Sequence, residues 1–404
     1  MDELDRIDPQ LLGKRLTLAR KRCGLTQDVV AMMLGLSRPT FIAIEKGTRL
    51  PKPEEIVRLA EIYGRPLNEL VRADAPAVEL HPHLRAVVSV KPADAEEVDS
   101  AVDELERFAA DYKALEQMLR APLLSLFPPE IAFPPRGPVD EWAEDAAVRE
   151  RTRLGLGDQP VLNLRELLEA EVGLRIFYWG LPSTIGGMYA FTSESGPCIL
   201  VNRKHPGERR RATIVHEYGH FLTERHKPGV DYSDGLARRP ASERFVESFG
   251  MAFLIPATGV RRQFAEIVRS TNDFQVADLC RLSHYYYVSV QAMTLRLEQL
   301  SLIPAGTYQD LVDRGFKPIA ARAELSLEQA EPDPDWICPL RYRLLAVKAF
   351  EEDLIGEGQL ARFLRTDRVD ARRIVAEMRS YWTLRNDGDD IELSGGHSLL
   401  RKGG

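Results

Sequence analysis

The chain has 404 residues, 44% hydrophobic and 28% charged, an ordinary soluble make-up sufficient for about two to four domains. Its formal net charge of −7 excludes a polybasic nucleic-acid binder along the whole length, and its four cysteines (Cys23, Cys198, Cys280 and Cys338), none in a CxxC pair, weigh against a cysteine-only metal site and suit a reducing cytosol. The start, MDELDRIDPQ, lacks an apolar leader, and no run nears the roughly 18 apolar residues of a membrane span, so a cytoplasmic protein with no membrane partner is expected.

Residues 10–72 read as short helices. LLGKRLTLARKRCG carries Leu12, Leu16 and Ala19 at helical spacing and ends at Gly24. TQDVVAMMLG opens on Thr26 as N-cap and stops at Gly35; SRPTFIAIEKG opens on Ser37, with Pro39 in its first turn, and stops at Gly47. PKPEEIVRLAEIYG and PLNELV supply two more helices. Twelve basic and six acidic residues give this stretch an excess of +6, the asymmetry expected where one module meets phosphate and the others do not. Helix, turn and helix between Thr26 and Gly47 fit a helix-turn-helix, whose second helix enters the major groove by its first turn.

The stretch RKRCGLTQDVVAMMLGLSRPTFIAIEKGTRLPKPEEIVRLAEIYG resembles the XRE/Cro-type helix-turn-helix family. The resemblance implies double-stranded DNA as partner, bound by a homodimer on two half-sites. Gln27 would meet backbone phosphate, Arg38 and Thr40 would read bases, and Lys46 and Arg49 would position the backbone. Ala43, at a position that is often polar, and Pro39, which lacks a backbone donor, point to modest base specificity.

Residues 73–93, mixing Pro, Ala and His, read as a linker. Residues 94–120 form one long helical pattern, with Val98, Val102, Leu105, Ala109, Tyr112 and Leu119 in steps of three and four, interrupted by Glu116. That stripe serves either to pair two copies or to pack inside its own chain. The prolines of APLLSLFPPEIAFPPRGP (121–138) mark a boundary. Beyond it VDEWAEDAAVRERTRLG and NLRELLEAEVG read as helices, LRIFYW as a strand, and GGMYAF with PCILVN, around TSESG, as a hairpin. ASERFVESFGMAFLIP (241–256) and residues 274–300 are helical, EPDPDW (331–336) is a break, and LRYRLLAVKAFEEDLI with GQLARFLRTDRVDARRIVAEM suggests a helical C-terminal module. The tail LSGGHSLLRKGG is expected to be disordered.

RRATIVHEYGHFLTE, Arg210 to Glu224, sets His216 and His220 four residues apart on one helix face, able to present ring nitrogens to one ion. Glu217 follows the first histidine, where it could take a proton from metal-bound water. The bland alternative is a half-buried helix with two satisfied histidines. A catalytic site needs a third protein ligand, and Glu243 and Glu247 stand one turn apart downstream; a His, His, Glu set leaves a fourth position for water. The same donors accept manganese or iron as well as zinc. Gly219 would let another element pack closely on this helix, and the preceding hairpin would offer an edge to an extended peptide.

PCILVNRKHPGERRRATIVHEYGHFL followed by ERFVESFGMAFLIP resembles the ImmA/IrrE family of zinc metallopeptidases, over roughly 139–300. The resemblance implies a zincin-like α+β fold with a small sheet, Glu243 as the third zinc ligand, Glu247 behind it, and zinc-bound water activated by Glu217 against a peptide carbonyl. Candidates for the oxyanion stabiliser are Tyr189, on the expected edge strand, and His284 with Tyr285 to Tyr287. His205 and His226 read as loop histidines in solvent. The expected architecture is multidomain and mainly α: a helix-turn-helix domain (1–75), a linker with a long amphipathic helix (76–138), the metallopeptidase domain (139–305) and a helical module (306–404). Two functions fit. One is a DNA-binding regulator, as in a stress response, whose zinc or manganese endopeptidase cleaves an XRE-type repressor or its own linker 73–93. The other is a non-proteolytic regulator or antitoxin, with a toxin partner in the latter case, whose peptidase-like domain senses a ligand or partner. A purely structural zinc is disfavoured, because such sites use four protein ligands and prefer cysteine.

Overall fold

In the computed structural model, which describes residues 8–23, 25–63, 67–71, 95–124, 127–132, 138–192, 195–227, 229–232, 240–327 and 334–383, the first five helices follow the local signals closely. These are α1 (Pro9–Arg22), α2 (Gln27–Leu34), α3 (Arg38–Glu45), α4 (Pro53–Ile62) and α5 (Leu67–Val71). Thr26 accepts from the Val29 amide and Ser37 from the Thr40 amide, and Gly35 ends α2 at φ 70°, a left-handed conformation that favours glycine. Leu12, Leu16, Val30, Phe41, Ile44 and Leu59 form one buried core. A Cβ on Gly13 would sit 2.4 Å from the Glu45 carbonyl oxygen, so glycine is what lets α1 and α3 cross. Glu45 itself is buried and takes two bonds from Arg20, at 2.7 and 3.2 Å, and one from the Gln27 amide at 2.6 Å.

The long helix α6 (Ala95–Met118) spends its stripe on its own chain: Phe108 stacks on Phe177 at 4.5 Å, and Val98, Val102, Leu105, Ala109 and Tyr112 are buried. Its apolar face is therefore not on offer to a second copy. Glu116, the break in the stripe, is a buried ion partner, 2.9 Å from Arg175.

After α7 (Val139–Arg153) and α8 (Leu164–Val172) come β1 (Arg175–Trp179), β2 (Ile185–Thr192) and β3 (Gly196–Asn202), then α9 (Gly207–Glu224), β4 (Gly229–Tyr232) and α10 (Ala241–Leu254). The sheet order is β1-β3-β2-β4. β1 runs parallel to β3, and β2 is antiparallel to both β3 and β4, with Tyr189 opposite Ile199 on one side and Gly229 on the other. The hairpin strand β2 is thus internal, not the edge expected from the sequence. β4 covers it, and a four-residue strand carries too little pattern to be read in advance. The outer side of β1 receives the Ile337 carbonyl, which accepts from the Tyr178 amide at 2.9 Å.

Helices α11 (Ala257–Thr271), α12 (Val276–Tyr285), α13 (Val290–Gln299), α14 (Thr307–Asp313) and α15 (Pro318–Glu324) complete the larger unit. Leu311, Phe316, Ala321, Leu325 and Leu327 pack against the same core as the sheet, and the compact unit runs to Pro339. The apolar side chains of 307–327 are thus partly buried against the core that also holds the sheet and the His216 helix. Residues from Leu340 form a second unit of α16 (Leu340–Glu351), α17 (Glu357–Phe363) and α18 (Arg368–Thr383), in which the buried Tyr342 hydroxyl donates to the Phe363 carbonyl. The linker 73–93, the hairpin tip 193–194, residues 331–333 of the break and the tail 393–404 lie outside the described residues. No described helix is long and apolar enough to cross a membrane.

Candidate metal centre

The back of α9 is fastened before its front can be used. Tyr218 is buried, stacked among Phe221, Phe249 and Phe253 at 5.9 to 6.2 Å, and its hydroxyl donates to Glu150 of α7 at 2.6 Å. Burial raises the Tyr218 hydroxyl well above its usual pKa, and the neighbouring Glu150 adds to the rise. Arg153 closes the triad, 2.8 Å from Glu150.

On the opposite, half-exposed face the Nε2 atoms of His216 and His220 lie 3.2 Å apart. Glu243, in the first turn of α10, brings Oε2 to 3.6 Å from His216 Nε2 and Oε1 to 3.5 Å from His220 Nε2. One donor atom from each of the three falls within 4.8 Å of the others. Ligands on a tetrahedral ion at zinc bond lengths of about 2.0–2.1 Å stand roughly 3.3 Å apart, so this donor set fits such an ion, with one corner left over.

Two glycines make the convergence possible. A Cβ on Gly219 would come 2.9 Å from Val246 Cγ1 and 3.0 Å from its Cβ, so α10 can approach α9 only with glycine there. A Cβ on Gly187 of β2 would come 2.7 Å from Thr213 Cγ2 and 3.6 Å from Glu217 Oε1. The Glu217 carboxylate is therefore buried in the gap between α9 and β2.

Asn202, inside the stretch PCILVNRKHPGERRR, has a role that the sequence reading leaves unassigned. Its buried amide donates to the Pro182 and Ile185 carbonyls at 3.0 and 2.9 Å, and its oxygen accepts from the Leu181 and Lys204 amides. His205 is buried, Nε2 3.2 Å from the Ser183 carbonyl, which corrects the expectation of a solvent histidine. Together they clamp the β1–β2 connection to the entrance of α9. His226 is exposed and edge-on to Phe191.

Tyr189 is fully buried on an internal strand, and its hydroxyl donates to the Arg225 carbonyl at 2.6 Å. Burial pushes that hydroxyl well above its usual pKa. His284 lines a different cavity, with Tyr285 and Tyr287, to which none of the three donors contributes. Glu247 is exposed, one turn beyond Glu243, and outside the donor set.

In the helix-turn-helix, Arg38 is exposed, its guanidinium 3.3 Å from the equally exposed Asp28, a pair worth little in water. Thr40 Oγ1 is 2.7 Å from Ser37 Oγ, and Lys46 is exposed at the end of α3. Gln27 is engaged with Glu45, and Arg49 forms a two-bond pair with Glu55 at 2.9 and 2.8 Å.

Residues 169–298 match the family described as IrrE N-terminal-like domain, a peptidase family, and residues 11–73 match a helix-turn-helix domain. The cryptic phage CTXphi transcriptional repressor RstR of Vibrio cholerae is 47% identical over 47 residues, 12% of this chain, and the chain spans 42% of that protein's length. ComR from Streptococcus suis aligns over 94% of this chain and 96% of its own at 11% identity, with a TM-score of 0.16. Bacillus thuringiensis PlcR, solved with the peptide PapR7 and DNA, aligns over 94% and 100% at 10% identity, with a TM-score of 0.17. Scores that low carry no structural argument.

Proposed function

We propose that this chain, which joins a helix-turn-helix domain to an IrrE N-terminal-like peptidase domain, is a DNA-binding transcription regulator carrying a metal-dependent endopeptidase. The observation that carries the reading is the convergence of His216, His220 and Glu243 within 4.8 Å, beside the buried Glu217. Zinc, or manganese, held by those three residues would supply Lewis acidity, making water acidic at neutral pH and polarising a peptide carbonyl. Glu217, walled in between α9 and β2, is the proton acceptor and later the donor to the leaving amine. The likeness of the DNA-reading module to a phage repressor supports operator DNA as one partner, read by Arg38 and Thr40 from the first turn of α3. The substrate class is a regulatory protein, either a repressor of the same helix-turn-helix type or the chain's own linker 73–93, and the site of action is the cytoplasm.

The test is cleavage by full-length protein with and without zinc or manganese, against itself and against purified repressors of this type. Glu217→Gln is expected to keep metal and DNA binding while lowering turnover by at least about a hundredfold. Full regulatory function in that variant would overturn the protease reading and leave a non-proteolytic regulator.

A further inference from the structure

Away from the metal centre a cavity of about 680 Å³ opens between α11, α12 and the chain preceding α8. That size lies within the roughly 300–1,000 Å³ of small-molecule sites. Leu162, Ile267, Leu282 and Leu327 make most of its wall apolar, with Tyr285 and Tyr287 between them. The Tyr285 hydroxyl is committed, donating to Gln159 Oε1 at 2.9 Å. What remains for a charged group is Arg281 and the His284 ring, and no carboxylate belongs to the described lining. Arg281 is exposed and, among the described residues, paired with Asp278 at 3.1 Å on its own helix, a pair that a better-placed anion can displace.

Two further features mark the place. Tyr287, on the cavity wall, sits at φ 53°, a left-handed backbone that bulky side chains seldom adopt. The wall is also wired to α9: buried Arg211 donates to the Val161 carbonyl and lies 5.7 Å over the Tyr287 ring, while Arg322 joins Glu208 of α9 to the Val288 carbonyl. These contacts join the cavity wall to the helix that carries His216 and His220.

We propose that this cavity binds a small apolar carboxylate, aromatic or aliphatic, with its body against Leu162, Ile267 and Leu282 and its charge on Arg281, as an effector of the regulator. The site stands independently of the metal reading, and its test needs no metal. Isothermal titration of the full-length chain with 2-naphthoate, phenylacetate and octanoate is expected to show one-to-one binding of at least one of them, with Kd below about 1 mM. Arg281→Met is expected to weaken that binding roughly tenfold, the loss of a charge-assisted bond. Leu162→Trp, at an exposed wall position, and separately Gln263→Trp are expected to fill the cavity and abolish it. No heat from any of the three acids overturns the proposal. So does a Kd within about twofold of wild type in Arg281→Met or in both tryptophan variants.

Discussion

Among the described residues, His216, His220 and Glu243 differ from the other acidic and imidazole groups in converging on one point. Their donor atoms lie 3.2, 3.6 and 3.5 Å apart, with Glu243 in the set and Glu247 outside it, a choice that the spacing along the helix leaves open. Glu243→Ala is expected to lower zinc affinity by more than the 10- to 100-fold typical of losing a supporting partner, while Glu247→Gln leaves it unchanged; competition with a chromogenic chelator reads both. Glu55 supplies a second residue-scale prediction. The Arg49 hydrogen bonds hold its carboxyl below the ordinary value of 4.5, and the Lys52 amide adds to the effect. A carboxyl depressed in the folded state contributes stability that is complete above its unfolded value and is lost as pH falls through the folded one. The helix-turn-helix is therefore expected to lose stability on acidification below about pH 4.5, and Glu55→Gln to remove that part of the dependence, as followed by thermal melts across pH.

Elements meet in this protein where side chains are missing. Gly219 allows α10 to lie on α9, and Gly187 allows α9 to lie on β2, with the Glu217 carboxylate against Gly187. Gly219→Val is expected to cost about 1–3 kcal/mol, the penalty of overpacking a filled contact, and to weaken metal binding by moving Glu243; chemical denaturation and a zinc titration report the two effects. The role of Gly219 was legible in the sequence, since a small residue inside an active helix asks for a close neighbour. That of Gly187 was not, because it depends on which strand passes behind α9. The same holds for Tyr189: an alternating strand looks the same whether or not a short partner such as β4 covers it.

At the scale of the whole chain, the helix-turn-helix and the peptidase-like fold have separate hydrophobic cores. A ligand that binds one native fold stabilises that fold alone, by about 2.7 kcal/mol at a hundred times its Kd. Chelation with EDTA is thus expected to lower the melting of the larger core and leave the helix-turn-helix transition where it was, by calorimetry of the full chain. A common shift of both transitions would mean that the two cores unfold as one.

Local physics was enough to read the helix-turn-helix with its caps, the helix with its two histidines, and the mixed α and β character of the middle of the chain. Each depends on residues within one turn or one alternation of each other, and the interactions that form them act over the same short range. Only the tertiary structure set Glu243 rather than Glu247 among the converging donors, turned β2 from an edge into an interior strand, buried His205 beside Asn202, and packed apolar side chains of 307–327 against the core of the sheet. Those outcomes depend on which surfaces exclude water from one another across the fold, and spacing along a single chain carries no record of that.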